Sequence, residues 1–174
     1  MAKSLLVLVV LLLCIAAGCS RPQAPPPAET GAPQQSGPRN SIDVVKATSK
    51  DVTIKAGTDG DAIVQLNIQN GYHVNANPPT FPYLKATELQ FAQRSGVTVS
   101  FIVYPNPLTK TFAFADKPLA VYEGVIDIKA KVKVDRTMKP GQLDLPAKVQ
   151  VQACDNQVCY APGTLEVTIR LIVK

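Results

Sequence analysis

From Ile42 to its end the chain alternates apolar and polar residues with a period of two. Val64, Leu66 and Ile68 alternate with Gln65, Asn67 and Gln69. Val97, Val99, Phe101 and Val103 form a second set. Ile126, Ile128, Ala130, Val132 and Val134 alternate with Asp127, Lys129, Lys131 and Lys133. Val149, Val151 and Ala153 alternate with Lys148, Gln150 and Gln152, and Leu165, Val167, Ile169, Leu171 and Val173 close the chain. Successive side chains of a strand point to opposite faces, so this period predicts strands with one buried face. Shorter candidate strands are Ile42–Ala47, Val52–Lys55 and Thr87–Phe91, and no segment after residue 42 has a helical period. Thr58-Asp59-Gly60-Asp61, Asn70-Gly71, Ser95-Gly96 and Lys139-Pro140-Gly141 supply turns between them. The expected fold is all-β, an immunoglobulin-like antiparallel β-sandwich of about seven to nine strands. The row Lys129, Lys131, Lys133 reads as a solvated strand face.

The N-terminal part has a different character. Lys3 precedes an apolar run from Leu5 to Ala17, and this run is shorter than the roughly 20 residues a bilayer span needs. A basic start, a short apolar core and small residues before a cut predict a secretory signal. Ala16-Ala17-Gly18-Cys19 resembles a bacterial lipobox, in which cleavage leaves a lipidated cysteine as the new N-terminus; an ordinary signal cut near Gly18 is the alternative. Residues 1–18 are thus expected to be a lipoprotein signal peptide. Residues 19–41 are expected to be the lipidated Cys19 with a tether containing Pro22, Pro25, Pro26, Pro27, Pro33 and Pro38. Such a composition cannot bury a core and holds a domain away from a membrane. The folded domain is expected over residues 42–174, in the bacterial envelope and on the periplasmic side. Ser20, not Asp, follows Cys19, so nothing there points to retention at the inner membrane, and inner and outer membrane both stay open as the destination. The formal net charge of +5 is spread among acidic residues, which together with export argues against nucleic acid as a partner.

The four cysteines sort themselves by position. Cys14 leaves with the signal and Cys19 takes lipid, so Cys154 and Cys159 remain as one isolated pair that an oxidising compartment permits to join. The pair lies between two strands able to form a hairpin, and a disulfide there closes a loop of six residues, contributing about 2 kcal/mol on the chain-entropy account. A bond this modest reads either as a small structural staple or as an exchangeable redox centre. Asp155 beside Cys154 does not favour a strongly activated thiolate. His73 is the only histidine and cannot supply a multi-His metal site, so no metal and no cofactor are expected. Two aromatic-bearing stretches, Tyr72–Tyr83 and Pro105–Pro118, do not read as strands. They are either functional loops or plugs for the ends of the sandwich.

Several segments occur in a characteristic order: Gly71-Tyr72-His73-Val74-Asn75-Ala76-Asn77-Pro78-Pro79, Tyr83-Leu84-Lys85-Ala86-Thr87-Glu88-Leu89, Val103-Tyr104-Pro105, Val121-Tyr122-Glu123-Gly124, and Ala153-Cys154 to Cys159-Tyr160-Ala161-Pro162. In this the chain resembles, over residues 42–174, the N-terminal periplasmic domain of the thiol:disulfide interchange protein DsbD. The resemblance implies an immunoglobulin-like sandwich that takes electrons from a thioredoxin-like domain, itself reduced through a membrane domain, and reduces periplasmic proteins. It implies that Cys159 forms mixed disulfides with partners and that Cys154 resolves them. It also implies a cap loop near Lys110–Asp116, with Phe112 or Phe114 as the shield, and a second loop at Tyr72 and His73. Tyr160 completes the expected cap or partner-contact set.

The expected function is therefore that of an envelope lipoprotein acting as a protein-disulfide reductase or thiol-disulfide interchange component. It would pass reducing equivalents from a separate thioredoxin-like donor or membrane electron transporter to periplasmic disulfide-containing proteins, with the membrane engaged through lipid on Cys19. A non-enzymatic binding or assembly module with a structural Cys154–Cys159 bond is the alternative. A soft-metal site made of Cys154, Cys159 and His73 is a weaker third.

Overall fold

The structure, a computed structural model, describes residues 40–174. The expected signal peptide, the lipidated Cys19 and the tether as far as residue 39 lie outside the described residues. Twelve strands follow a short 3-10 helix at Ser41–Asp43: β1 (Val45–Ser49), β2 (Val52–Ile54), β3 (Asp59–Ile68), β4 (His73–Asn75), β5 (Glu88–Phe91), β6 (Val97–Val103), β7 (Leu108–Lys110), β8 (Leu119–Tyr122), β9 (Val125–Val134), β10 (Gly141–Val151), β11 (Ala153–Cys154) and β12 (Gly163–Val173). They form three four-stranded sheets, ordered β1-β3-β9-β6, β2-β12-β10-β5 and β11-β4-β8-β7.

The two larger sheets make the immunoglobulin-like sandwich that the alternation predicted. Val64, Leu66, Ile128 and Val132 from one, and Leu145, Val149, Ile169 and Leu171 from the other, are fully or almost fully buried in one core. Each such side chain contributes roughly 1.5–3 kcal/mol when removed from water, so this core dominates the stability. The longest ladder pairs β10 with β12 from Gly141↔Val173 to Val151↔Gly163. One parallel pairing, β2 with β12, departs from the expected antiparallel pattern. On the outer face, Lys131 meets Asp61 at 2.5 Å, and Lys129 and Lys133 are exposed, as expected of a solvated face.

Two local expectations change. The segment Ile42–Ala47 does not begin as a strand. Asn40 caps a 3-10 turn: its side chain accepts from Ile42 N–H at 3.3 Å, and the Asp43 carboxylate accepts from Asn40 N–H at 2.9 Å. Asn40 and Ser41 thus belong to the folded body, not to the tether. In β6 the register slips between Ser100 and Ile102. Phe101 becomes a bulge residue with φ of 50° and is 82% exposed, and Val103 is also exposed. Beyond the bulge Ile102 takes the inward position, because one extra residue reverses the parity of a strand.

The third sheet was not expected: β4, β7 and β8 lie in or beside the stretches read as loops, and β11 is a two-residue strand at the end of the run that was read as a single strand as far as Ala153. His73–Asn75 and Leu108–Lys110 are strands within or at the edge of those stretches. Its small core of Phe112, Leu119 and Val121 is packed by Phe81, Leu84 and Ala115. The sheet joins the sandwich through Val74, Tyr122 and Ala153, which are buried in the main core, and through polar ties: Asn75 donates to Lys85 O at 3.2 Å and to Gln152 Oε1 at 3.1 Å, and the Thr87 hydroxyl donates to Asn75 O at 2.7 Å.

Candidate redox site

Cys154 ends β11, and Cys159 faces it across a tight hairpin; the two are joined as a disulfide. Asp155 N–H donates to Val158 O at 3.0 Å and Tyr160 N–H to Ala153 O at 2.8 Å. The cysteines therefore occupy the non-hydrogen-bonded position between two bonded pairs, where facing side chains stand closest. Cys154 is fully buried and Cys159 is partly exposed.

Asp155 shapes the hairpin. One carboxylate oxygen accepts from Gln157 N–H at 2.7 Å and Val158 N–H at 2.8 Å, and the other from the Tyr160 hydroxyl at 2.5 Å. Desolvation pushes this carboxyl up, but the hydrogen bonds from Tyr160, Gln157 and Val158 outweigh it and hold it below the usual carboxylate range. The same bond, with some desolvation, pushes the Tyr160 phenol up to about 12. Read from sequence as an electrostatic neighbour of Cys154, Asp155 is here chiefly the clamp of the turn. Ser41 holds the base of the hairpin: its hydroxyl donates to Ala161 O at 2.7 Å and accepts from Ala153 N–H at 2.8 Å.

Around the disulfide the structure gathers the aromatic residues singled out in the sequence. His73 lies opposite Cys154 in the β4–β11 ladder and is 1% exposed. Its ring stacks on Phe112 with centroids 4.1 Å apart, and Phe112 stacks on Phe114 at 5.4 Å. Tyr72 packs against Tyr160 at 6.1 Å. The two cap candidates divide: Phe112 is buried beneath, and Phe114 is 39% exposed. An apolar groove of about 260 Å³ runs beside the hairpin, lined by Phe81, Tyr83, Leu84, Phe114, Val158 and Cys159. Phe81, Tyr83, Leu84 and Val158 were not among the candidate site residues, although Phe81 and Tyr83 lie in the aromatic-bearing stretch Tyr72–Tyr83 and Leu84 lies in a segment that carries the resemblance. Ser41 was also missed, although Asn40-Ser41-Ile42-Asp43 has the spacing of a capping box.

Burial pushes the His73 imidazole below its ordinary value; Lys110 adds to this, and Glu123 and Asp155 oppose it. Lys110 is itself paired with both carboxylate oxygens of Glu123 at 2.6 Å. With both sulfurs bonded to each other, the set Cys154, Cys159 and His73 offers no thiolate ligands in this state. Among the described residues no group of three or more His, Cys, Asp or Glu is arranged to hold a metal ion. Among them, too, no helix is long and apolar enough to cross a membrane.

A family model described as thiol:disulfide interchange protein DsbD, N-terminal, matches residues 42–171. No curated protein matches the sequence. Among solved structures, the N-terminal periplasmic domain of ScsB from Proteus mirabilis aligns with a TM-score of 0.48 and 14% identity over 74% of this chain; the chain spans 45% of the length of that one. The GAE domain of yeast GGA1 aligns with a TM-score of 0.37 and 14% identity, over 71% of this chain and 90% of that one. AggA, the major subunit of type I aggregative adherence fimbriae from Escherichia coli, aligns with a TM-score of 0.34 and 14% identity, over 75% and 94% respectively.

Proposed function

From the premise that this chain belongs to the family of DsbD N-terminal domains, we propose that it passes reducing equivalents through Cys154 and Cys159 to disulfide-containing proteins of the periplasm. The supporting observation is the unequal exposure of the two sulfurs: Cys159 lines an apolar groove, and Cys154 is sealed behind it. Exchange requires in-line access of a thiolate to one sulfur of the disulfide, and here only Cys159 offers it.

A thiolate of a thioredoxin-like donor, or of a membrane electron transporter, attacks Sγ of Cys159. A new sulfur–sulfur bond forms, the Cys154–Cys159 bond breaks, and Cys154 leaves with the electron pair. The donor's second thiolate then attacks its own sulfur in the mixed disulfide and releases Cys159, so the donor is oxidised and this domain is a dithiol. Toward a client the order reverses: the Cys159 thiolate attacks the client disulfide, and Cys154 attacks Cys159 to release the reduced client. Phe114, Tyr72 and Tyr160 flank this route as cap and partner-contact residues. Lipid on Cys19 would hold the domain at the envelope membrane.

The test is to trap the intermediate. A Cys154→Ala variant should accumulate mixed disulfides through Cys159 in periplasmic extract, and a Cys159→Ala variant should not. The reduction potential should lie above about −300 mV, the region below which structural disulfides fall. A lower potential with no trapped partner would favour a binding module in which the bond only fixes the hairpin.

A further inference from the structure

His73 has no counterpart in the exchange scheme above, yet it is the polar side chain set closest in the ladder to the buried sulfur. Directly opposed residues of an antiparallel pair place their side chains on one face with Cβ atoms about 4.5–5.5 Å apart, and Cys154 is opposed to His73. His73 is 1% exposed, and its Nε2 has no hydrogen-bond partner. A buried polar atom left unpaired is costly and calls for an explanation. The disulfide supplies one: neither of its sulfurs bears a hydrogen, so nothing there can donate to Nε2. Reduction turns Cys154 Sγ, on the residue directly opposite in the ladder, into a thiol able to donate.

We infer that His73 is the proton acceptor for Cys154 in the step that resolves a mixed disulfide at Cys159; the inference rests on the exchange reading above. Nε2 takes the proton from Cys154 Sγ. The resulting thiolate attacks Cys159 Sγ, forming the Cys154–Cys159 bond. The bond from Cys159 to the client breaks, and the client sulfur leaves with the electron pair. The imidazolium then returns its proton to the departing thiolate, so protons and electrons balance without another reactant. A fully buried thiol needs such help, because burial raises its pKa and water cannot reach it.

The surroundings keep the ring in the form that accepts a proton. Desolvation lowers its affinity for one, most strongly of all the influences, and Lys110 at the end of β7 works the same way; Glu123 after β8 and Asp155 in the hairpin pull the other way. Stacking on Phe112 fixes the ring plane. The other bases nearby are poor candidates. The Asp155 carboxylate already accepts three hydrogen bonds, and the Tyr160 hydroxyl is committed to Asp155.

The experiment follows the reaction of the reduced protein with one equivalent of 5,5′-dithiobis(2-nitrobenzoate), read by thionitrobenzoate absorbance in stopped flow. The first release reports attack by Cys159, and the second reports resolution by Cys154. His73→Gln and His73→Phe should each slow the second phase at least tenfold at pH 7 and leave the first within twofold. The wild-type second phase should be nearly flat between pH 7 and 8. In the variants it should climb about tenfold per pH unit, as expected when only hydroxide removes the thiol proton. A second phase within twofold of wild type in both variants overturns the role, as does equal slowing of both phases, which marks a packing residue. Should neither variant fold, the wild-type profile decides: a second phase rising tenfold per unit from pH 6 to 8 sinks the proposal. A wild-type protein that releases no dye in either phase overturns the exchange reading itself, and the role of His73 with it.

Discussion

Asp155 and Tyr160 settle the shape of the hairpin through one short hydrogen bond, and its pH limits follow from the direction of the two shifts. Asp155 is held low, so the bond contributes above the ordinary carboxylate range and is lost as pH falls through the lowered value. Tyr160 is pushed up to about 12, so its contribution is whole below the ordinary tyrosine value of about 10 and is lost as pH rises through about 12. The phenolate absorbance of wild type minus that of Tyr160→Phe should therefore titrate near 12; a difference curve centred near 10 would mean that Asp155 does not hold the hydroxyl. Phe101 offers a second test at this scale. It is the one non-glycine residue with positive φ among the described residues, a conformation costing a bulky side chain about 1–3 kcal/mol, and its exposed ring recovers little of that by burial. Against the backbone entropy of a glycine, Phe101→Gly should still raise stability by up to about 1 kcal/mol. The urea midpoint should move upward with an unchanged slope, and a downward shift would show that the ring has a contact worth more than the strain.

Among elements, what was legible in the sequence divides along a physical line. The long strands β3, β9, β10 and β12 could be read because ten or eleven residues give a period of two room to repeat. Strands β4, β7 and β11 have two or three residues, too few for any period, and β4 is buried on both faces and shows no alternation at all. These belong to the sheet that holds the candidate site, so the site's residues were recognisable by type and by family resemblance before their scaffold was. Phe101 and Val103 were assigned inward for a related reason: a bulge leaves no mark in an apolar pattern. Ser41 escaped because its partners are more than a hundred residues away in sequence, a pairing that local pattern cannot register. Its place predicts a cost. Ser41→Ala removes the acceptor of a buried N–H at Ala153, and such a loss costs about 1–3 kcal/mol. Urea unfolding should read a loss of that size, and hydrogen exchange should quicken at the Ala153 amide. A loss under about 0.5 kcal/mol with unchanged exchange would mean that the 3-10 turn does not anchor the hairpin.

For the molecule as a whole, an exchanging domain must keep its fold in both redox states, and the distribution of burial meets that condition. Most of the apolar core comes from the two large sheets, with Val74, Tyr122 and Ala153 joining it from the third, while the disulfide lies at the third sheet and closes a loop of six residues. Opening that loop costs about 2 kcal/mol, comparable to burying one aliphatic side chain of the many in the core. The protein reduced with dithiothreitol should therefore unfold cooperatively, with a Tm lower than that of the disulfide form by roughly 5–10 °C. Its far-ultraviolet circular dichroism at 25 °C should overlay that of the oxidised protein. The magnitude separates the two readings of the bond. A structural staple whose removal melts the domain at 37 °C cannot be cycled by a partner, because each turnover would pass through an unfolded chain. A reduced form that stays folded would keep Cys154 opposite His73, as the proposed resolution of mixed disulfides requires. Reduction that abolishes cooperative unfolding would remove the physical basis for exchange, whatever the chain's family.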